Sequence, residues 1–159
     1  MFLKLAADPP HVYDQMLVPT DGSDASAAAI DQAVVIADQF DARVEFLHVV
    51  DVGIEMSAAA EGAIADDLTS TLESVANDAL TEAEARADDA GVEAETTVIE
   101  GVPHETIVQH SVDSESDLIV MGVTGHSGLT ERLLGSTTDR VARSAETSVL
   151  IARPSDTPA

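Results

Sequence analysis

Blocks of apolar and polar residues alternate along the chain, and they predict five short strands separated by helices. Two runs, residues 15–18 and 118–121, are almost wholly apolar, as is typical of strands covered on both faces. Residues 43–50 are rich in β-branched and aromatic side chains and predict another strand. Residues 92–98 alternate apolar and polar positions, as a half-exposed edge strand does, and residues 148–152 form the last predicted strand.

The segments between these strands carry helix signals. Ser23 or Asp24 can cap a first helix whose apolar residues recur three or four positions apart. The longest helix carries one apolar stripe and ends before Gly91. The residues of that stripe are Ile64, Leu68, Leu72, Val75, Ala79, Ala83 and Ala87. Pro103 suits the first turn of a third helix, and residues 136–144 predict a fourth.

This alternation predicts a single α/β domain, an open parallel five-stranded sheet with helices on both faces. The 159 residues suit one domain, which we expect to span residues 13–153, with an N-terminal extension (1–12) and a polar C-terminal tail (154–159). No apolar run approaches the ~18 residues of a membrane-spanning helix, and the N-terminus lacks the apolar segment of a signal peptide. We therefore expect a cytoplasmic protein with no membrane association.

The composition adds a large excess of acid. Seven Lys and Arg residues stand against 30 Asp and Glu, so the net charge is −23, and the chain has no cysteine. This charge repels phosphates, which argues against nucleic-acid and anionic-membrane partners. Without cysteine, a disulfide framework, a thiolate nucleophile and a Cys-based zinc site are excluded. The acids are spread from Asp8 to Asp156 and Lys4 is the single lysine, a pattern that indicates a halophilic protein in a salt-rich cytosol.

Candidate chemistry follows the first and fourth strands, because ligands of open parallel sheets bind beyond the carboxyl ends of the strands. The first strand ends in Pro-Thr-Asp-Gly-Ser at residues 19–23. The fourth is followed by Gly122, Gly125 and the Gly-Ser-Thr segment 135–137 at a helix start. Bare backbone, a helix N-terminus and hydroxyls can bind an anion without basic side chains. In so acidic a chain, a polyphosphate needs such donors together with a divalent cation.

Other readings of single residues point to structure instead of chemistry. Asp21 also fits a turn residue, since Asp favours turns, and His48 within an apolar strand is interpreted as a hydrogen-bonded core histidine. His104 and His110 lie six apart on one helix, which is not ligand spacing for zinc, so no metal site of protein side chains is predicted. The chain has neither a Gly-x-Ser-x-Gly elbow nor a Walker A lysine, and no catalytic residue is predicted.

The spacing Gly122-x2-Gly125-x9-Gly135-Ser136 after an apolar strand resembles the ATP-binding signature of the universal stress protein family. The resemblance continues at residues 17–23, 47–51, 117–122 and 148–151, and it covers about residues 13–153. It implies a fold of the adenine-nucleotide alpha-hydrolase-like type with strand order 3-2-1-4-5. It also implies a homodimer that pairs through the C-terminal strand, residues 148–152.

The resemblance further implies a role for each residue that matches the family motif. Pro19, Thr20 and Asp21 would meet the adenine, and Val49 would line the base pocket. Met121 and Gly122 would lie under the ribose and phosphates, and the phosphates would be held by Gly125, Gly135, Ser136 and Thr137. The implied ligand is ATP, or AMP or ADP, with Mg²⁺, acting as a stress-response or regulatory signal. A slow ATPase or phosphotransferase and a nucleotide-free protein-interaction module stay open as alternatives.

Two positions carry expectations that depend on the backbone around them. Valine at Gly122 is expected to block the phosphate path and to leave the fold intact. Proline at Leu150 is expected to remove a hydrogen-bond donor from the edge of the sheet and to shift a dimer towards monomer.

The acid excess predicts a strong dependence of stability on salt. At ~1 M salt the Debye length falls to ~3 Å, which removes most of the self-repulsion of a charge of −23. We expect the melting temperature, followed by circular dichroism, to climb steeply between low salt and ~1–2 M KCl. A melting temperature that stays flat over this range would mean that the acid excess has another origin.

Overall fold

A five-stranded parallel sheet with helices on both faces organises the computed structural model, which describes residues 12–53, 65–123 and 134–154. In chain order its elements are β1 (Gln15–Pro19), α1 (Asp24–Phe40), β2 (Arg43–Asp51), α2 (Ala65–Asp89), β3 (Ala94–Gly101), α3 (Pro103–Asp113), β4 (Leu118–Gly122), α4 (Ser136–Ser144) and β5 (Ser148–Ala152). The strands lie in the order β3-β2-β1-β4-β5. The predicted fold class and strand order are confirmed. The N-terminal extension and the C-terminal tail lie almost wholly outside the described residues, and their boundaries stay predictions.

The core has two layers because side chains of a strand point alternately to its two faces. On one face, α1 and α2 cover a cluster that includes Met16, Val18 and Phe46. On the other face, the residues packed together include Leu17 of β1, Ile107 of α3 and Val141 of α4. The apolar character of β1 and β4 at successive positions follows from this double cover.

The first helix begins and ends where its local sequence requires. The side-chain oxygen of Ser23 accepts a hydrogen bond from the Ser26 N–H, so Ser23 is the N-cap. Asp41 ends the helix in the left-handed conformation (φ 55°), and its N–H bonds to the carbonyl oxygen of Ala37. Four buried alanines, Ala25, Ala29, Ala33 and Ala37, bring the helix close to the sheet.

The buried face of α2 agrees with the predicted stripe in part. Ala79, Ala83 and Ala87 are buried as predicted, whereas Val75 is 42% exposed, and Ala76 and Leu80, which the stripe does not include, are buried. Over 25 residues the spacing of apolar residues and the helical period of 3.6 do not stay in step, so a stripe chosen by chemical type alone departs from the buried face at Val75. Although α2 is long, no described helix is both long and apolar enough to cross a membrane.

The two edge strands have different chemistry. In β3, which begins at Ala94, Glu95 and Glu100 are exposed and Val98 is half exposed. In β5 the three apolar residues that follow Ser148 are partly buried, and none of the strand's residues is charged. The free edge of β5 is therefore the less polar of the two.

One carboxylate in the described part of the chain is buried. Glu45 of β2 is 6% exposed and lies beneath α3. Its Oε2 accepts hydrogen bonds from Nε2 of His110 at 2.8 Å and from Oγ1 of Thr97 at 2.6 Å. A buried carboxylate needs such donors, so this pair joins α3 to the middle of the sheet. His110 thus has a structural partner.

Candidate functional site

A cavity of about 330 Å³ opens beyond the carboxyl ends of β1, β2 and β4. Strand order reverses at β1, which pairs with β2 on one side and β4 on the other. Open parallel sheets bind ligands at this switch point, and the volume is within the range of small-molecule sites. The lining residues are Pro19, Thr20, Asp21, Ser26, Leu47, His48, Val49, Val50, Asp51, Leu72, Val75, Pro103, Ile107, Met121, Gly122, Gly135, Ser136, Thr137 and Thr138.

The connection from β1 to α1 forms one wall of the cavity and is held by short hydrogen bonds. The side chain of Asp21 accepts a hydrogen bond from the Ser23 N–H at 2.9 Å, so Asp21 forms the turn that the sequence suggested as an alternative. The Thr20 hydroxyl donates to Oγ of Ser26 at 3.2 Å. The Thr20 side chain is therefore directed to α1, while Asp21 lies in the cavity wall.

His48 lies on β2 with 7% of its surface exposed. Its Nδ1 is 2.9 Å from the carbonyl oxygen of Thr20. The interpretation of His48 as a hydrogen-bonded core histidine is confirmed. The side chain also belongs to the cavity wall, which the sequence did not indicate.

The start of α4 forms the opposite wall. The Gly135 N–H donates to the carbonyl oxygen of Val123 at 2.9 Å, and the Thr138 hydroxyl donates to that of Gly122, also at 2.9 Å. These bonds fix the helix start against the end of β4. No side-chain hydrogen bond caps the helix at Gly135, and Ser136 and Thr137 of its first turn line the cavity. Such a helix start favours an anion.

Nine of the ten residues that the sequence assigns to a nucleotide site line this cavity. They are Pro19, Thr20, Asp21, Val49, Met121, Gly122, Gly135, Ser136 and Thr137. Gly125 lies outside the described residues. The structure thus places these residues together, and their roles towards a ligand stay predictions.

The sequence did not assign four apolar wall residues that come from helices to the site. Leu72 and Val75 come from α2, and Pro103 and Ile107 come from the start of α3. A partial signal was available for α3, because the start of a helix that follows a parallel strand lies at the carboxyl edge of the sheet. For α2 no local signal exists, since the position of its first turns depends on packing.

The described lining has acidic side chains but no lysine or arginine. Asp21 and Asp51 are its carboxylates. Within the described ranges, no three His, Cys, Asp or Glu side chains are grouped as a metal site would require. Within the described lining, the groups that can attract an anion are therefore backbone N–H groups, hydroxyls and helix starts.

Gly122 is explained by packing. A Cβ atom at this position would lie 2.5 Å from both the backbone carbon and the carbonyl oxygen of Ala25 in α1. Real Cβ atoms do not approach backbone so closely, so β4 and α1 must separate before any side chain fits. The expectation that Gly122→Val leaves the fold intact is wrong.

The comparison with known proteins identifies the family. A model of the Universal stress protein family matches residues 13–153. The chain belongs to this family. Its membership agrees with the sheet order and with the cluster of motif residues at the carboxyl edge.

Individual universal stress proteins are similar to the chain over most of its length. It is 38% identical over 143 residues to universal stress protein MJ0531 of Methanocaldococcus jannaschii, which covers 90% of this chain and 84% of that protein. Hypothetical protein MJ0577 of the same organism has a similar solved structure, with a TM-score of 0.78 and 27% identity, covering 92% of this chain and 99% of that one. A universal stress protein solved in complex with cAMP gives a TM-score of 0.66 and 30% identity, covering 90% and 98%.

The contact between Gly122 and Ala25 predicts a large cost for the smallest side chain. We expect Gly122→Ala to lower the free energy of unfolding by about 3 kcal/mol, as overpacking against a rigid neighbour does. Gly91→Ala is the control, because a Cβ there meets nothing within 4 Å and only the positive φ of 71° opposes it, at about 1 kcal/mol. Urea unfolding in high KCl measures both. Equal stability of Gly122→Ala and the parent would contradict the packing explanation.

Proposed function

We propose that this universal stress protein binds an adenine nucleotide in the cavity at the switch point and acts as a nucleotide-dependent regulatory dimer. The observation that carries the proposal is the position of the family's motif residues. Nine of them come from four separate stretches of the chain and line one cavity of about 330 Å³. If the motif residues served only to stabilise the fold, an open cavity where they meet would have no explanation.

The two ends of the cavity have the chemistry that a nucleotide needs. Val49, Leu72 and Val75 offer an apolar surface for a base, and Asp21 adds a carboxylate that can accept a hydrogen bond from an amino group. Ser136 and Thr137 at the α4 start offer hydroxyls and backbone N–H groups for phosphate. The base would therefore lie beside β2 and the phosphates beside α4.

Mg²⁺ would accompany the phosphates. This ion keeps several waters and takes one or two carboxylates together with phosphate oxygens, so it needs no preformed group of three acidic ligands. With Asp21 assigned to the base, Asp51 is the remaining carboxylate of the described lining, and phosphate oxygens and waters would supply the other ligands. The ion would also reduce the repulsion between the phosphates and a chain of charge −23.

A structural relative supports this ligand class. The universal stress protein solved with cAMP is 30% identical to this chain and covers 90% of it. Its ligand contains the adenine, ribose and phosphate that the two ends of the cavity would receive. The preference of this chain among ATP, ADP, AMP and cAMP is part of the experiment. We further propose a cytoplasmic location in a salt-rich cell, where the acidic surface would be screened.

A negative charge at the start of α4 is predicted to weaken nucleotide binding. Ser136 is exposed at the first position of the helix, where an acidic side chain is compatible with folding. We expect Ser136→Glu to reduce the affinity for Mg-ATP at least about tenfold, or ~1.4 kcal/mol, because the carboxylate repels the phosphates. Titration calorimetry in high KCl measures the change, with AMP and cAMP titrated in parallel.

Thr81→Glu is the matched control, since Thr81 is exposed on α2 and does not line the cavity. It should bind as the parent does. Equal affinity of the two variants would contradict the assignment of the phosphates to α4. A parent that binds no adenine nucleotide would favour a protein-interaction module, and release of phosphate by the parent that Ser136→Glu abolishes would favour a slow ATPase.

The dimer would form through β5, the less polar edge of the sheet. The carbonyl oxygen of Ala152 accepts a hydrogen bond from the Val123 N–H, so the backbone groups of Ala152 point to β4. Backbone groups alternate in direction along a strand, so Leu150 also points to β4 and Ile151 points to the free edge. Proline at Leu150 would therefore break the sheet within one protomer, and the choice of Leu150 as the test position is wrong.

Ile151→Pro tests the edge without removing a bond to β4. Its N–H faces outwards, and proline is tolerated on an edge strand in that orientation. We expect the parent to sediment as a dimer at micromolar concentration in high KCl, and Ile151→Pro to shift it towards monomer with helical circular dichroism retained. Ile151→Val keeps the N–H and should remain dimeric. Sedimentation of the parent as a monomer would contradict pairing through β5.

A further inference from the structure

We propose that His48 is a positioning residue for base recognition, acting through the carbonyl group of Thr20. The inference rests on the proposed nucleotide site and adds a specificity determinant to it. His48 is buried, with 7% of its surface exposed, and it lies on β2 directly beside the end of β1. It is the one histidine in the described lining of the cavity.

The hydrogen bond to Thr20 determines the state of the imidazole. A carbonyl oxygen can only accept, so Nδ1 of His48 must donate across the 2.9 Å to it. Nδ1 therefore carries a hydrogen, and in the neutral ring Nε2 is the unprotonated nitrogen. The tautomer is set by the fold and not by a ligand.

This bond holds the peptide group that joins Thr20 to Asp21. The Thr20 N–H already donates to the carbonyl oxygen of Leu47 at 2.8 Å, so the residue is fixed by β2 on its N–H side. His48 fixes the C=O side. The two bonds together determine the direction in which the chain leaves β1, and hence the place of the Asp21 side chain in the cavity wall.

The neighbouring side-chain bonds do not replace the His48 bond. The Thr20 hydroxyl donates to Ser26 and the Ser23 N–H donates to the Asp21 side chain, so neither group donates to the Thr20 carbonyl oxygen. Without His48, the buried Thr20 carbonyl would lack its donor, and an unsatisfied buried acceptor would be relieved by rotation of the peptide. Asp21 would move with it, whereas the start of α4 would stay in place.

Two amide variants separate the roles of the ring nitrogens. In His48→Asn the side-chain nitrogen can take the position of Nδ1 and restore the donor to Thr20. In His48→Gln the amide takes the position of Nε2, one bond further from the backbone, so the Thr20 carbonyl oxygen is left without a donor. The measured quantity is the ratio of the affinities for Mg-ATP and Mg-GTP, obtained by calorimetry in high KCl. A general loss of stability lowers both affinities, whereas a displaced Asp21 changes their ratio.

We expect His48→Asn to keep the parent ratio within about twofold and His48→Gln to lower it about tenfold, the effect of one lost hydrogen bond. If His48→Gln fails to fold by circular dichroism, His48→Met replaces it. A parent-like ratio for His48→Gln, or a lowered ratio for His48→Asn, would overturn the proposal; the two results together would assign the effect to Nε2.

Amide hydrogen exchange in the ligand-free protein gives a readout that does not need nucleotide binding. The Ser23 N–H, which bonds to Asp21, should exchange about tenfold faster in His48→Gln than in the parent, and at the parent rate in His48→Asn. If the parent binds no nucleotide but exchange follows this pattern, the proposed function fails and the positioning role stands. If exchange is the same in all three proteins, the positioning role fails by itself.

Discussion

Burial of the central strands from both sides is the constraint on which the rest of the structure depends. Leu17, Val18 and Ile119 have no exposed surface, since α1 and α2 cover one face of the sheet and α3 and α4 cover the other. A strand covered twice is accessible only at its ends. The carboxyl ends of β1, β2 and β4 are where the chain turns into its helices, so glycines, hydroxyls and helix starts collect there.

Uniform burial also explains which elements could be predicted from the sequence. Residues 16–18 and 118–121 are apolar at every position because both of their faces are covered, and such runs can be recognised without any partner. The buried face of α2 could not be located in the same way. Alanines occur on both the buried and the exposed side of α2, so residue type does not show which side faces the sheet. For this reason the predicted stripe included the exposed Val75 and left out the buried Ala76.

The candidate site shows the same limit in a sharper form. Residues at or just after the ends of strands, such as Asp21 and Gly122, could be assigned to the site because the fold class alone places strand ends at one edge. The packing that requires glycine at position 122 could not be predicted, because it depends on the backbone of Ala25, which is distant in the sequence. The buried Glu45 was likewise unrecognised, since its two donors come from β3 and α3.

The lack of lysine and arginine in the described lining has a consequence for ligand binding in concentrated potassium chloride. A cluster of basic side chains attracts phosphate as a net charge, and in concentrated electrolyte chloride competes for it and the attraction is largely lost. Backbone N–H groups and hydroxyls act instead through short directional bonds over about 3 Å, a distance within which no electrolyte ion can intervene. Binding of a phosphate by backbone N–H groups and hydroxyls is therefore less sensitive to concentrated salt than binding by basic side chains.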